Sequence, residues 1–282
     1  MLNATMLVSQ HRGGANIIIA FAGCIMDRAK YLERISVSEG ELSPDIESLR
    51  RLQRAHLLTV PFENLDIHWK RPIVLDVERF YHKVVVERRG GFCYELNGLF
   101  NELLISIGFT TRLISARVFN GKEFTPKFSH AAIIVTIGEE EFLADVGFGD
   151  FTSEPLSFAP EAEEIDPTAD FVIRRYDEGL FEVAKRDSGS WKSEYLFKDE
   201  PHELSDFAEM CDFQQYSPLS HFTKAKLISI MTPTGRKTLT DTKFIVTDGS
   251  DRRETDVTGD DEFYSILLAE FGIKRPTEHQ NT

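Results

Sequence analysis

The stretch Arg89-Gly90-Gly91-Phe92-Cys93-Tyr94-Glu95-Leu96-Asn97 constrains this chain more than any other, because it sets a cysteine between a glycine pair and a helix start. From Leu96 the apolar residues recur at Phe100, Leu103, Leu104 and Ile107, the spacing of one helical face, and Gly108 supplies a stop. The spacing predicts a helix with Cys93 at or just before its N-terminus. Unpaired N–H groups and the positive end of the helix dipole favour an anion there, so the expectation is a thiolate with a lowered pKa. Gly90 and Gly91 permit the tight approach that would expose the sulfur. The plain alternative is a buried cysteine that only packs.

Composition bounds the rest. A chain of 282 residues suffices for one large domain or two to three small ones. With 22 Phe against 7 Tyr and 2 Trp it can build a Phe-rich core and apolar pocket walls. A formal net charge of −14 argues against a nucleic-acid or anionic-membrane binder, so an anionic ligand needs a local basic or helix-terminal site. Cys24, Cys93 and Cys211 are too few and scattered for a disulfide framework, and no CxxC pair suggests zinc. A reducing, cytoplasmic setting is expected.

Residues 1–25 carry only Arg12 as a full charge, and the apolar run 17–22 is too short to span a bilayer. With Ala22-Gly23-Cys24 they loosely imitate a secretory signal ending in a lipid-acceptor cysteine. The preferred reading makes them an N-terminal extension, with the protein starting at Met26 and Asp27 capping a helix that contains Tyr31, Leu32 and Ile35. Ser43-Pro44-Asp45 reads as a second helix opening, with Ser43 as cap and Pro44 at the first helical position. Pro61 ends that helix near Thr59. After Gly108 the pattern changes to short β-branched and aromatic segments at 112–119, 131–137, 141–146, 171–176, 180–186 and 191–197, which predict an antiparallel sheet or barrel. An acidic surface loop is expected over 160–170, a helix around Leu204, Phe207, Met210 and Cys211, a hairpin at Pro233-Thr234-Gly235-Arg236, and a final helix containing Phe263, Ile266, Leu267 and Phe271.

A cysteine nucleophile needs a base, and the base needs a group that orients it. Among 8 histidines, His130 differs by opening the apolar strand Ala131-Ala132-Ile133-Ile134-Val135, so it can project from a sheet rim. Asp145 lies within Phe142-Leu143-Ala144-Asp145-Val146, where an unpaired acid would be costly to bury. A turn near Gly138-Glu139-Glu140 folds the two strands into a hairpin that brings His130 and Asp145 to the same end. Gly147-Phe148-Gly149 follows directly and could turn backbone N–H groups toward an oxyanion or a phosphate. The spacing does not show whether Cys93 meets this pair.

Taken together, Pro61-Phe62-Glu63-Asn64-Leu65, the Cys93 segment, Ser129-His130, Asp145-Val146-Gly147-Phe148-Gly149 and Ser217-Pro218-Leu219-Ser220-His221-Phe222-Thr223 resemble, in order, the arylamine N-acetyltransferase family. The resemblance implies an α+β fold: a helical bundle over 26–108 bearing the nucleophile, an antiparallel β-barrel over 109–212 bearing His and Asp, and a C-terminal α/β lid of sheet and helix over 213–282. It implies Cys93, His130 and Asp145 as a cysteine-protease-like triad, Glu63 with Arg89 as a structural ion pair, and Phe148 lining the acceptor pocket. Gly147, Gly149, Ser217 and Ser220 become candidates for contact with coenzyme A. The implied reaction moves acetyl from acetyl-coenzyme A to an aromatic amine or hydrazine through acetyl-Cys93. Acetyl exchange between thiols is nearly isoenergetic, so no permanently bound cofactor or metal is expected. The rivals are an amide synthase using another acyl donor, a cysteine peptidase, and a non-catalytic binding protein on the same fold. Asp150 departs from the pattern by setting an acid where some members carry a basic residue, and so does the extension before Met26.

Overall fold

The computed structural model describes residues 26–159 and 170–276. The extension expected over 1–25 and nearly all of the acidic loop lie outside them. Asp27 caps α1 (Arg28–Arg34), its carboxylate accepting the Lys30 N–H at 3.1 Å. For α2 (Ile46–Thr59) the cap is Asp45, not the expected Ser43. The Asp45 carboxylate takes the Ser48 N–H at 2.8 Å, the Ser43 hydroxyl bonds that same carboxylate, and Pro44 precedes the helix. A carboxylate serves the positive helix end better than a hydroxyl.

Two residues of strand, β1 (Phe62–Glu63), then α3 (Leu65–His68) and α4 (Val77–Tyr81) lead toward the cysteine. Over His82–Val86 the helix widens to π-type turns that bury Lys83, Val84 and Val85. The predicted long helix is α5 (Cys93–Ile107), which Gly108 stops in the left-handed conformation at φ 107°.

Seven antiparallel strands follow: β2 (Thr110–Val118), β3 (His130–Ile137), β4 (Glu140–Ala144), β5 (Leu156–Ser157), β6 (Phe171–Asp177), β7 (Leu180–Asp187) and β8 (Ser190–Phe197). Their order is β5-β4-β3-β2-β8-β7-β6, and the edges β5 and β6 approach each other, so the sheet nearly closes into a barrel. After α6 (Ala208–Tyr216), β9 (Leu227–Thr232), β10 (Gly235–Thr240), β11 (Lys243–Asp248) and β12 (Asp251–Asp256) join β1 in a second sheet, which α7 (Gly259–Phe271) covers. This is the α+β architecture expected. No helix among the described residues is long and apolar enough to cross a membrane.

Alternation along β3 decides which side chain faces where. Ala131, Ile133 and Val135 pack on the helical layer, while Ala132 and Ile134 fill the barrel interior with Phe151, Phe158 and Tyr195. His130 has the parity of Ala132 and opens toward the interior. On the helical side His56 is fully buried between Tyr31 and Phe100, its Nδ1 bonded to the Tyr31 hydroxyl at 2.9 Å. Burial, aided by the Arg34 guanidinium, lowers its pKa to about 3. The unfolded chain therefore binds a proton below its ordinary pKa of about 6.5 that the fold refuses, and stability falls as pH drops from there toward 3. The expected slope is about 1.4 kcal/mol per pH unit. Urea unfolding of His56→Gln and wild type across that window checks it: the difference between the two should shrink as pH falls.

Candidate active site

The segment before α5 is held by five buried charged groups. Arg89 places one guanidinium nitrogen 2.6 Å from Glu63 and another 2.6 Å from Asp66, and its guanidinium carbon lies 4.5 Å from the Trp69 ring centre. Lys83 reaches both Glu95 oxygens at 2.9 Å and Asp66 at 2.8 Å. Glu95 also accepts the Phe92 N–H at 3.0 Å, fixing the first turn of α5. Its pKa is raised by burial, with Asp66 and Glu63 adding and Lys83 opposing. The Glu63–Arg89 pair stands as expected; Asp66, Lys83 and Glu95 are its unforeseen partners. Gly90 makes the approach possible, since a Cβ there would lie 2.0 Å from the Pro61 carbonyl oxygen.

On the barrel side, His130 is 2% exposed, and its Nε2 lies 2.6 Å from Asp145 Oδ2. Phe128, two residues earlier, sits at φ 65°, a conformation uncommon for a large side chain, and its carbonyl accepts the Tyr94 hydroxyl at 2.6 Å. Asp145 lies one residue beyond the end of β4 rather than within it, and is fully buried. Besides His130 it receives the Asn97 amide at 2.8 Å, the Gly147 N–H at 2.9 Å and the Tyr195 hydroxyl at 3.2 Å. Asn97 further donates to the Ala131 carbonyl at 2.6 Å and accepts the Val146 N–H at 2.9 Å. One α5 side chain thus fastens the helix of Cys93 to the strand of His130 and to the Asp145 segment just past β4. Asn97 was visible only as the end of the cysteine motif, and Tyr195 gave no local signal.

Cys93 is 4% exposed and shares with His130 the wall of a cavity of ≈320 Å³. The residue is thus largely withdrawn from bulk water at the wall of this pocket. Burial pushes the thiol pKa up, contrary to the lowering expected from the helix end; the Ala131 N–H opposes the rise, the Asp145 charge adds to it, and the Tyr94 N–H opposes it weakly. A helix terminus is a local effect and desolvation of a charged sulfur is the larger one. Phe148 lies in the same wall, its ring 5.2 Å from that of His130. Gly147 and Ser220 also line this cavity, whereas Gly149 lines a larger cleft of ≈900 Å³ between the barrel and the C-terminal sheet. Phe62, Phe148, His221 and Phe222 are common to both spaces. The Ser220 hydroxyl donates to Gln214 at 2.8 Å and accepts the Phe222 N–H at 3.1 Å. Ser217 lines neither space; its hydroxyl takes the Leu219 N–H at 3.2 Å.

A family model described as N-acetyltransferase matches residues 45–279. An arylamine N-acetyltransferase / N-hydroxyarylamine O-acetyltransferase of Salmonella typhimurium is 34% identical over 236 residues, 82% of this chain and 83% of the relative. This chain belongs to the arylamine N-acetyltransferase family. A solved Salmonella typhimurium arylamine N-acetyltransferase superposes with a TM-score of 0.81 at 30% identity, covering 89% of this chain and 93% of that one. A Bacillus cereus arylamine N-acetyltransferase, described as having a unique Cys-His-Glu catalytic triad, superposes at 0.78 with 26% identity over 88% and 98% of the two chains.

Two substitutions test how this transferase holds its cysteine. Arg89→Met leaves Glu63 and Asp66 in the interior with Lys83 as their remaining cation, and urea unfolding should register a loss of about 3–5 kcal/mol, the cost of removing one partner of a buried ion pair. Gly147→Ala puts a methyl 2.8 Å from the Cys93 Cα and 2.7 Å from the Asn97 amide nitrogen. Its expected cost is about 1–3 kcal/mol, with a changed rate of Cys93 alkylation by iodoacetamide because barrel loop and helix must part.

Proposed function

We propose that the chain transfers acetyl from acetyl-coenzyme A to the nitrogen of arylamines or arylhydrazines in two half-reactions through an acetyl-Cys93 thioester. The observation that carries this reading is the sharing of one cavity wall by Cys93 and a histidine whose Nε2 is bound to a buried carboxylate. With Nε2 committed to Asp145, Nδ1 is the nitrogen left to take a proton. Burial disfavours an isolated thiolate, so the anion forms together with an imidazolium that Asp145 stabilises. The Cys93 sulfur attacks the thioester carbonyl, and the tetrahedral adduct collapses with loss of coenzyme A, which recovers the proton from His130. In the second half an amine attacks the acetyl-enzyme, His130 accepts the amine proton, and the Cys93 sulfur leaves as thiolate.

The two spaces, which share four lining residues, suit two substrates. A cavity walled by Phe62, Val118, Phe148 and Phe222 fits an aromatic amine, which is a weak base and largely uncharged at neutral pH. The larger cleft, with Gly149 on its rim, fits the donor. In this reading residues 26–108 supply the nucleophile, 109–212 the base and its orienting acid, and 213–282 the far wall of the donor cleft, in a cytoplasmic enzyme. A peptidase would need an open groove for an extended chain, and a cysteine that is 4% exposed favours the small acceptor.

Acetyl-coenzyme A without acceptor is expected to leave one acetyl group on Cys93 and none on Cys24 or Cys211, read by intact mass and peptide mapping. An acetyl group on another cysteine, or none in an active preparation, overturns the assignment. Asp145→Asn should remain folded by circular dichroism yet lose about 10³–10⁴-fold in acetyl transfer, because the amide favours the wrong imidazole tautomer. Its Cys93 should require more alkaline solution for alkylation than wild type. Near-normal turnover in the folded variant excludes Asp145 as the orienting acid.

A further inference from the structure

The larger cleft carries a row of charge for which acetyl transfer itself has no use. Arg236 on β10 pairs in register with Thr247 on β11, and Thr247 pairs with Arg252 on β12. Directly paired residues share a face of the sheet, and all three line the cleft. At about 4.8 Å per strand the two arginine positions stand about 10 Å apart. From the barrel, Lys185 on β7 lines the same cleft. Between barrel and sheet stands Asp150, whose Oδ2 takes Lys185 Nζ at 2.6 Å and whose Oδ1 lies 3.6 Å from Arg236 Nε.

The partners in this bridge are unequally held. The Asp150 side chain is 66% exposed, against 16% for Arg236 and 30% for Lys185. Arg236 also donates to the Ser229 hydroxyl at 3.1 Å, and the Lys185 ammonium lies 5.5 Å from the Phe171 ring centre. Arg252 is bonded to Glu254 at 2.7 Å. The cations keep their places without Asp150, while the carboxylate can swing into water at little cost. A phosphate carries more charge than a carboxylate and more acceptor oxygens, so it wins the exchange for a guanidinium.

We propose that Lys185, Arg236 and Arg252 receive the phosphate groups of the acyl donor, and that Asp150 is an internal competitor that occupies Lys185 and Arg236 until phosphate displaces it. This rests on the reading that the donor is a coenzyme A thioester. It assigns Asp150, the acid that departs from the family pattern, a role in donor affinity: it lowers the hold on phosphate and favours release of free coenzyme A.

The test compares acetyl-coenzyme A with S-acetylpantetheine, which presents the same thioester without phosphate. In Asp150→Asn the ratio of kcat/KM for the two donors should rise about 5-fold, and in Lys185→Met and Arg236→Gln it should fall about 10-fold, as expected for charge-assisted contacts to phosphate. Calorimetric titration of the whole chain with adenosine 3′,5′-bisphosphate needs no turnover and should show tighter binding in Asp150→Asn and weaker binding in Lys185→Met. Donor ratios and bisphosphate affinities that stay at wild-type values overturn the subsite and leave acetyl transfer standing. So does a lowered Tm in Asp150→Asn with an unmoved ratio, which makes Asp150 a brace between barrel and sheet. If wild type takes no acetyl from acetyl-coenzyme A, the donor reading fails separately, and the bisphosphate titration alone then upholds or overturns the subsite.

Discussion

The interior cluster of Glu63, Asp66, Lys83, Arg89 and Glu95 is the constraint on which the cysteine segment depends. Removing five charges from water is unfavourable unless every one finds partners, and the partners come from β1, α3, the π-type turns, the segment before Gly90, and the first turn of α5. The elements are therefore correct together or not at all. With two cations against three carboxylates, the cluster would keep a surplus negative charge, and the raised pKa of Glu95 relieves it by making protonation easier. Such a cluster contributes less to stability than an equally packed apolar core would. What it provides is a single geometry for the backbone leading to Cys93.

The site itself arises where two independent layers touch without side chains between them. Gly147 passes against the first residue of α5, and Asn97, one turn further along, spans from that helix to the backbone of β3 and to Asp145. Register does the rest. His130 faces the barrel interior with its ring against Phe148 and Tyr195, while the neighbouring Ala131 turns the other way and directs its N–H at the Cys93 sulfur. A one-residue slip of β3 would exchange those two roles and empty the site.

Much of this was legible in the chain because it is written in short-range pattern. The 3.6-residue spacing from Leu96 to Ile107 with Gly108 after it gave α5 and its C-terminal stop, with Cys93 at or near its start, and the turn near Gly138 brought His130 and Asp145 to one end of a hairpin. Other features depended on contacts that no local pattern records. Lys83 directly precedes the run Val84-Val85-Val86 and Glu95 sits among Phe92, Tyr94 and Leu96; each could have been flagged as a charge needing a partner, as Asp145 was, but not matched to the other. For the thiol, the helix end is visible in sequence while the depth of burial, which opposes it, is not. Ser43 and Asp45 compete for one cap within three residues, a distinction set by backbone geometry and not by residue type.

The two-residue strand β1 has a mechanical meaning. On one side Phe62 bridges Gly91, with the Glu63 N–H on the Gly91 carbonyl at 2.8 Å; on the other, Phe62 and Glu63 pair with Ser229 and Ile228 of β9. Asn64 adds bonds to the Phe222 and Ala225 carbonyls at 3.0 and 2.9 Å and to the Leu227 N–H at 2.8 Å. The C-terminal sheet is thereby riveted to the cysteine segment through a single short rod. A hinge that swung this sheet away as a rigid plate would shear that rod and carry the nucleophile with it, so traffic of substrates past Cys93 is left to side chains and loops along the cleft.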